Sequence, residues 1–551
     1  MFIGLLLIFQ ADFSTLQTTT MNFSSLDYTI FFVYLAGMIG FGIWISTRKK
    51  EGPETSQDYF LASKALPWWA VGGSLIASNI SAEQFIGMSG SGYVVGMAIA
   101  AYELMAALTL LVVAKFFLPV FLQKGIYTMP QFLEQRFDKR VKTGLAVFWV
   151  LLFVFVNITT VLYLGGLAIE TITGFPLVLG VIGLALYSAS FSIFGGLKGV
   201  VWTDVIQVTV LMFGGFLASY LVLEALGGSF LGGLEELYTK APEKFDMILE
   251  KGHPEYINLP GISVLIGGMW IANLYYWGNN QYIIQRSLAA KSLKEAQKGT
   301  AFAALMKMIL PIVVVIPGIA AYVLGADLEK PDQAYPWVLS NYVTVGFKGL
   351  AFAALVAAIG SSLSSMVNSA STIFTLDIYK PFIFGEISEK EEDASFIGKR
   401  ENKMVRVGKI ASAIALLTGV ILAPFLGNLD QAFQYIQEYT GFISPGVVAI
   451  FLFGMFWKRT SADAALTVVV LAIPFSAGIK MFFPDFPFID RMGLCFLLLS
   501  AILVGISLFQ NKKDDQNAIS VHPSSFKTES VFNVISLIVL GLLAVIYAVF
   551  W

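Results

Sequence analysis

The sequence predicts an all-α polytopic membrane protein with about 14 transmembrane helices, and three observations carry that prediction. Apolar residues fill 57% of the 551 positions, charged residues only 13%, and the mean hydropathy is +0.75, far above a soluble domain of average usage. Apolar stretches of roughly 20 residues recur along the chain, the length that crosses a hydrocarbon core of about 30 Å. Two stretches, SLIASNISAEQFIGMSGSG (74–92) and ANLYYWGNNQYIIQR (272–286), carry amides, hydroxyls and charge at membrane depth. An unsatisfied polar backbone group costs several kcal/mol there. Interrupted polar spans in corresponding halves of a polytopic chain point to a transporter site built from discontinuous helices at the midplane.

Taken in order, the spans are expected at 28–46, 67–95, 98–122, 144–169, 176–194, 201–223, 261–284, 300–324, 345–374, 407–426, 432–457, 464–482, 492–509 and 531–551. The first twenty residues hold an apolar run too short to cross and no positive start of a signal peptide, so Met21 is the expected initiator. Loops after odd-numbered spans hold 26 of the 35 Lys and Arg, counting Arg136 and Arg286 among them. The positive-inside rule makes those loops cytoplasmic and places both termini outside. The mixed-charge run EISEKEEDASF reads as a solvated cytoplasmic connector.

Composition also excludes function classes. A net charge of −2 offers no basic face to nucleic acid. One cysteine, Cys495, rules out a disulfide framework, and two histidines, His253 and His522, make no zinc site. No GxxxxGK[ST] loop is present for direct ATP drive, and no catalytic pairing or cofactor motif suggests an enzyme.

Two constellations carry chemistry. In AAIGSS (357–362) the carbonyl of Ala358 and the hydroxyls of Ser361 and Ser362 share one helical face. If the second span unwinds around Ser78 and Asn79, the freed carbonyls of Ala77 and Ile80 complete an oxygen-only cage suited to an alkali cation. The alternative is that these serines are small packing residues between membrane helices. The second constellation is the polar set Asn79, Glu83, Gln84, Glu103, Asn273, Tyr276, Trp277, Lys307 and Gln437. Intramembrane ionisable groups are costly and face a cavity or each other. Amides, carboxylate and ammonium together supply the donors and acceptors that a hydroxyl-covered ligand needs, with Tyr276 and Trp277 available to stack on a sugar ring. Interfacial belt aromatics are the competing reading of those two rings.

The runs SLIASNISAEQFIGMSGSGY, YTMPQFLEQRF, VVWTDVIQV, ANLYYWGNNQYIIQR, SSMVNSASTIFTLDIYK and QAFQYIQEYTGFISPG resemble the sodium/solute symporter family, in its sodium/glucose cotransporter branch, from about residue 26 to 551. The resemblance implies a leucine-transporter-type core of two inverted five-helix repeats. The expected division is an N-terminal extension (1–26), poorly ordered, a first helix with its cytoplasmic loop (27–66), the repeats (67–224 and 261–457), an extracellular loop (225–260) and three C-terminal helices (458–551). It implies sodium at Ala77, Ile80, Ala358, Ser361 and Ser362, and sugar at Asn79, Gln84, Glu103, Asn273, Tyr276, Trp277, Lys307 and Gln437. Met88, Tyr102 and Phe442 become outer-gate residues and Tyr276 the inner gate. One departure stands out: galactose-carrying members have a serine where this chain has Ala106.

A further set, Asp204, Ser364 and Ser365, resembles the second sodium position of the sialic-acid branch. The alternative is that Asp204 caps its helix and meets cytoplasmic water. The function implied is sodium-coupled import of galactose or glucose by alternating access. Symport of myo-inositol, sialic acid or an amino acid is the alternative, and a sodium-dependent sugar sensor a more distant one. Sodium ion, a monosaccharide and the bilayer are the implied partners, with no nucleic acid, in a monomer or homodimer of a bacterial cytoplasmic (inner) membrane.

Overall fold

A computed structural model describes residues 23–47, 56–384, 394–426, 432–510 and 513–551. The expected start site and the EISEKEED part of the connector lie outside these residues. The described chain is helical throughout, and ten of its helices are long and apolar enough to cross a bilayer.

The chain enters through α1 (Ser25–Thr47) and then a span broken in two, α2 (Trp68–Asn79) and α3 (Ser89–Val94), with a π-helical turn (Glu83–Met88) leading into α3. Next come α4 (Met97–Lys124), α5 (Lys139–Thr173), α6 (Leu177–Ser190) and α7 (Gly196–Gly227). Asp138 caps α5 by accepting from the backbone of Arg140 at 2.9 Å and Val141 at 3.1 Å. A connecting segment carrying the short helix Phe230–Lys240 precedes the second broken span, α8 (Gly268–Leu274) and α9 (Gln281–Leu288), with its π-turn (Tyr275–Asn279) at the end of α8. The chain continues through α10 (Leu293–Val323), α11 (Phe347–Ile383), α12 (Arg400–Leu426), α13 (Ala432–Thr440), α14 (Ser444–Phe456), α15 (Ala462–Phe482), α16 (Phe488–Gln510) and α17 (Ser530–Val549).

Small residues set the packing around the breaks. A Cβ on Gly299 of α10 would lie 2.6 Å from the Trp68 carbonyl, and one on Gly72 would lie 2.6 Å from the Gly299 carbonyl, so α10 and α2 touch backbone to backbone. Further along, α10 crosses α3 at Gly318, where a Cβ would meet the Ser89 carbonyl at 2.0 Å. One helix therefore braces both halves of the broken span, and Lys307 sits on it between the two crossings. On the other side α11 packs along α7 and α1.

Two of the positive charges counted above in the loops are buried: Arg136 and Arg286 are both 0% exposed. Arg136 donates to the carbonyls of Gly454 at 2.7 Å and Thr460 at 3.0 Å, closing the C-terminal end of α14. Arg286 is taken up by a buried carboxylate described below.

Candidate functional site

Both breaks are single extended residues between helical turns. Ile80 has φ −75° and ψ 109°, and Asn280 has φ −85° and ψ 123°. A helix interrupted this way leaves carbonyls without intrahelical donors.

At the first break those carbonyls gather around α11. The Ser362 hydroxyl lies 3.1 Å from the Ser78 carbonyl, 3.4 Å from that of Ile80 and 3.5 Å from that of Ala77. The Ser361 hydroxyl lies 3.3 Å from the Ala77 carbonyl. A single hydroxyl proton serves one acceptor at a time, so three carbonyls around one serine make a cluster rich in unmet lone pairs. Such an oxygen-only set fits a hard monovalent cation. Four of the five residues expected at sodium thus meet here, and Ala358 is buried one turn earlier on α11.

Immediately beside this cluster lies a cavity of about 50 Å³. That is room for roughly four waters and too little for a hexose. Every residue expected at the sugar lines it: Asn79, Gln84, Glu103, Asn273, Tyr276, Trp277, Lys307 and Gln437. Lys307, 0% exposed, donates to the Asn79 side-chain oxygen and to the Glu103 carboxylate, with its ammonium 4.9 Å from the centre of the Trp277 ring. Asn79 in turn donates to the Tyr276 hydroxyl at 3.0 Å, which accepts from Tyr282 at 2.5 Å. Gln84 accepts from the Ser81 backbone at 2.9 Å, and Asn273 donates to the Met269 carbonyl at 3.1 Å. Residues from α2, the π-turn before α3, α4, α8, α10 and α13 converge, so the cavity can widen only as these helices part.

Of the expected gate residues, Met88, Tyr102 and Tyr276 line the cavity. Phe442 is not among the lining residues, and its ring packs against the Arg491 guanidinium, 5.2 Å away. The phenylalanine that lines it among the described residues is Phe433, edge-on to Tyr102 at 5.1 Å. Phe433, Gln437 and Thr440 follow the i, i+4, i+7 spacing of one helical face, the signal in the sequence that pairs Phe433 with Gln437.

Asp204, on α7, is 0% exposed and reaches the cation cluster from the other side. It accepts from Ser361 and, at 2.5 Å, from the Ser74 hydroxyl. The Arg286 guanidinium stands 3.9 Å from its carboxylate, donates to Ser365 and lies 3.3 Å from the Ser74 hydroxyl. Asp204 and Ser365 are therefore gathered around a side-chain cation, whereas Ser364 turns back to the Ser361 carbonyl at 2.7 Å.

A family model described as the sodium:solute symporter family matches residues 59–471. The sodium/glucose cotransporter of Vibrio parahaemolyticus is 51% identical over 548 residues, covering 96% of this chain and 98% of that protein. Sodium/myo-inositol cotransporter 2 of Mus musculus is 33% identical over 479 residues, 81% of this chain and 68% of that one. Among solved structures, a Na+-coupled sialic acid symporter in a substrate-bound outward-open state matches with a TM-score of 0.75 at 24% identity, over 89% of this chain and 98% of that one. MHP1, a nucleobase-cation-symport-1 family transporter, matches with a TM-score of 0.54 at 15% identity, over 83% and 96%. At these identities the two structures show a shared fold.

Proposed function

The chain belongs to the sodium:solute symporter family, and from that premise we propose that it imports a monosaccharide, galactose or glucose, coupled to inward sodium flow by alternating access. The observation that carries this reading is the first break itself. The carbonyls of Ala77 and Ile80 belong to the cation cluster, while the side chain of Asn79, between them in sequence, belongs to the sugar cavity. A sodium ion bridging that break to Ser361 and Ser362 holds Asn79 in place, and its departure loosens the same residue. By linkage, each ligand then raises the affinity for the other by the same factor.

The membrane arrangement follows. Ten long helices, the shorter apolar helices α6 and α14, and the two broken spans supply fourteen crossings, in two repeats of five within a cytoplasmic membrane, with both termini outside. Arg286 supplies a fixed positive charge to the Asp204 and Ser365 set, which supports one transported sodium per sugar. One charge moving through 100 mV contributes about 2.3 kcal/mol and a tenfold sodium gradient about 1.4, enough for roughly 500-fold sugar accumulation.

A second reading, import of myo-inositol, is favoured by the relative of that name and by the same hydroxyl-binding chemistry. Uptake of a radiolabelled panel into proteoliposomes, with and without a sodium gradient, separates the two. Accumulation of galactose or glucose that collapses without sodium is the expected result. Accumulation of myo-inositol alone transfers the assignment to it, and gradient-independent equilibration overturns coupling.

A further inference from the structure

The residues expected at the sugar are largely engaged with one another. Lys307 is held by Glu103 and Asn79, Asn79 by Tyr276, Gln84 by Ser81 and Asn273 by Met269. Among the described residues, the only cation lining the cavity is thus committed to one of its two carboxylates. The other carboxylate, Glu83, lines the same cavity from the start of the π-turn and is 5% exposed, and one of its oxygens, Oε1, has neither solvent nor a hydrogen-bond partner among the described residues.

A buried acceptor left unmet is expensive, more so for a carboxylate. Its backbone is anchored, with the Glu83 N–H donating to the Ser81 hydroxyl at 3.1 Å, on the residue that also holds Gln84. The hydroxyls of Tyr102 and Thr440, in the same lining, are likewise without partners. Among the described residues the cavity therefore presents one unpaired acceptor and two groups able to donate or accept, a pattern complementary to a ligand that brings O–H donors. Across the lining, Ala106 contributes only a methyl group.

Resting on the sugar reading above, we propose that Glu83 is a specificity-determining residue that accepts a hydrogen bond from one hydroxyl of the transported sugar. The Glu83 carboxylate takes an O–H donor that the Lys307–Glu103 pair leaves free, and so selects among sugars by the position and configuration of that hydroxyl.

The test uses the full-length protein in proteoliposomes with galactose, glucose and their singly deoxy and deoxyfluoro derivatives. For Glu83→Gln the half-saturating sugar concentration should rise about tenfold or more, the loss of a charge-assisted bond. The half-saturating sodium concentration, read at saturating sugar, should stay within about twofold, because Glu83 lies outside the cation cluster. One deoxy sugar should be handled equally by wild type and variant. Its fluoro counterpart, which accepts but cannot donate, should be as poor as the deoxy sugar for wild type and better than it for Glu83→Gln, whose amide can donate. Glu83→Asp, keeping the charge, should recover part of the affinity and serves if the glutamine variant does not fold. Unchanged sugar half-saturation in Glu83→Gln and Glu83→Ala, with every deoxy sugar penalised alike in wild type, overturns the proposal. Absence of any sodium-dependent uptake by wild type instead overturns the sugar reading.

Discussion

The two broken spans have the same backbone interruption and different surroundings. At the first, the carbonyls of Ala77, Ser78 and Ile80 face the small hydroxyls of Ser361 and Ser362, leaving a place for a mobile ion. Around the second, the chain's own long side chains fill the space. Arg286 donates to the Tyr282 carbonyl, and Gln281 accepts from the Met129 backbone at 2.9 Å and donates to the Tyr127 carbonyl at 3.2 Å. At the second break itself Asn279 Oδ1 and Nδ2 and Asn280 Oδ1 are buried with no hydrogen-bond partner among the described residues, so what sets this break apart is the long side chains packed beside it. A break whose backbone carbonyls crowd small hydroxyls has room for an ion, and its stability then depends on what is bound. The difference supports the proposed placing of sodium between α2 and α11.

Removing the fixed cation should have the largest effect. Arg286→Met leaves Asp204 buried without a counter-charge, a loss of about 3–5 kcal/mol. Detergent-solubilised protein should melt at markedly lower temperature, and Asp204→Asn added to it should restore part of the loss. Equal stability of Arg286→Met and wild type would erase the contrast between the two breaks. Next come the sugar-cavity amides: Gln84→Ala or Asn273→Ala should reduce sugar uptake about a hundredfold or more, because a buried site has no solvent to replace the bond. Sodium-dependent thermal stabilisation of the same variants should persist, which locates the loss on the sugar side. A smaller effect is expected at the mobile-ion break. Ser362→Ala should raise the half-saturating sodium concentration about tenfold, about 1.4 kcal/mol, with uptake at saturating sodium largely retained. An unchanged sodium dependence would return Ser361 and Ser362 to a packing role. The smallest effect sets the scale: Glu529, at the start of α17, pairs with Lys294 at 2.8 Å and Lys298 at 2.9 Å on the surface. Glu529→Gln should alter neither uptake nor melting beyond about 1 kcal/mol.

How much of this was legible in the sequence follows from where each signal is local. The apolar stretches and their lengths are read from hydropathy, and the Ser361 and Ser362 face from helical spacing. The interruption of 74–92 is visible because amides and hydroxyls crowd into it. The π-turns at Glu83–Met88, Leu152–Ile158 and Tyr275–Asn279 leave no such mark, since the same residue types continue a regular helix. Arg286 ends an apolar run beside Lys291 and Lys294, so it reads as the first charge of a loop. Its burial is decided by Asp204, 82 residues earlier in the chain, and nothing nearby announces the pairing. Phe433 and Phe442 are both aromatics near Gln437, and only the helical face of α13 selects the first. The unmet oxygen of Glu83 is likewise invisible until Lys307 is seen to be held by Glu103.

The central claim is that one break serves both ligands, so that sodium between α2 and α11 builds the sugar site. Equilibrium binding of labelled galactose and glucose to the purified protein, titrated against sodium, tests it directly. Sugar affinity should rise with sodium to a plateau, and Ser362→Ala should reach the same plateau at higher sodium. Sugar affinity that is independent of sodium in the wild type would contradict the account.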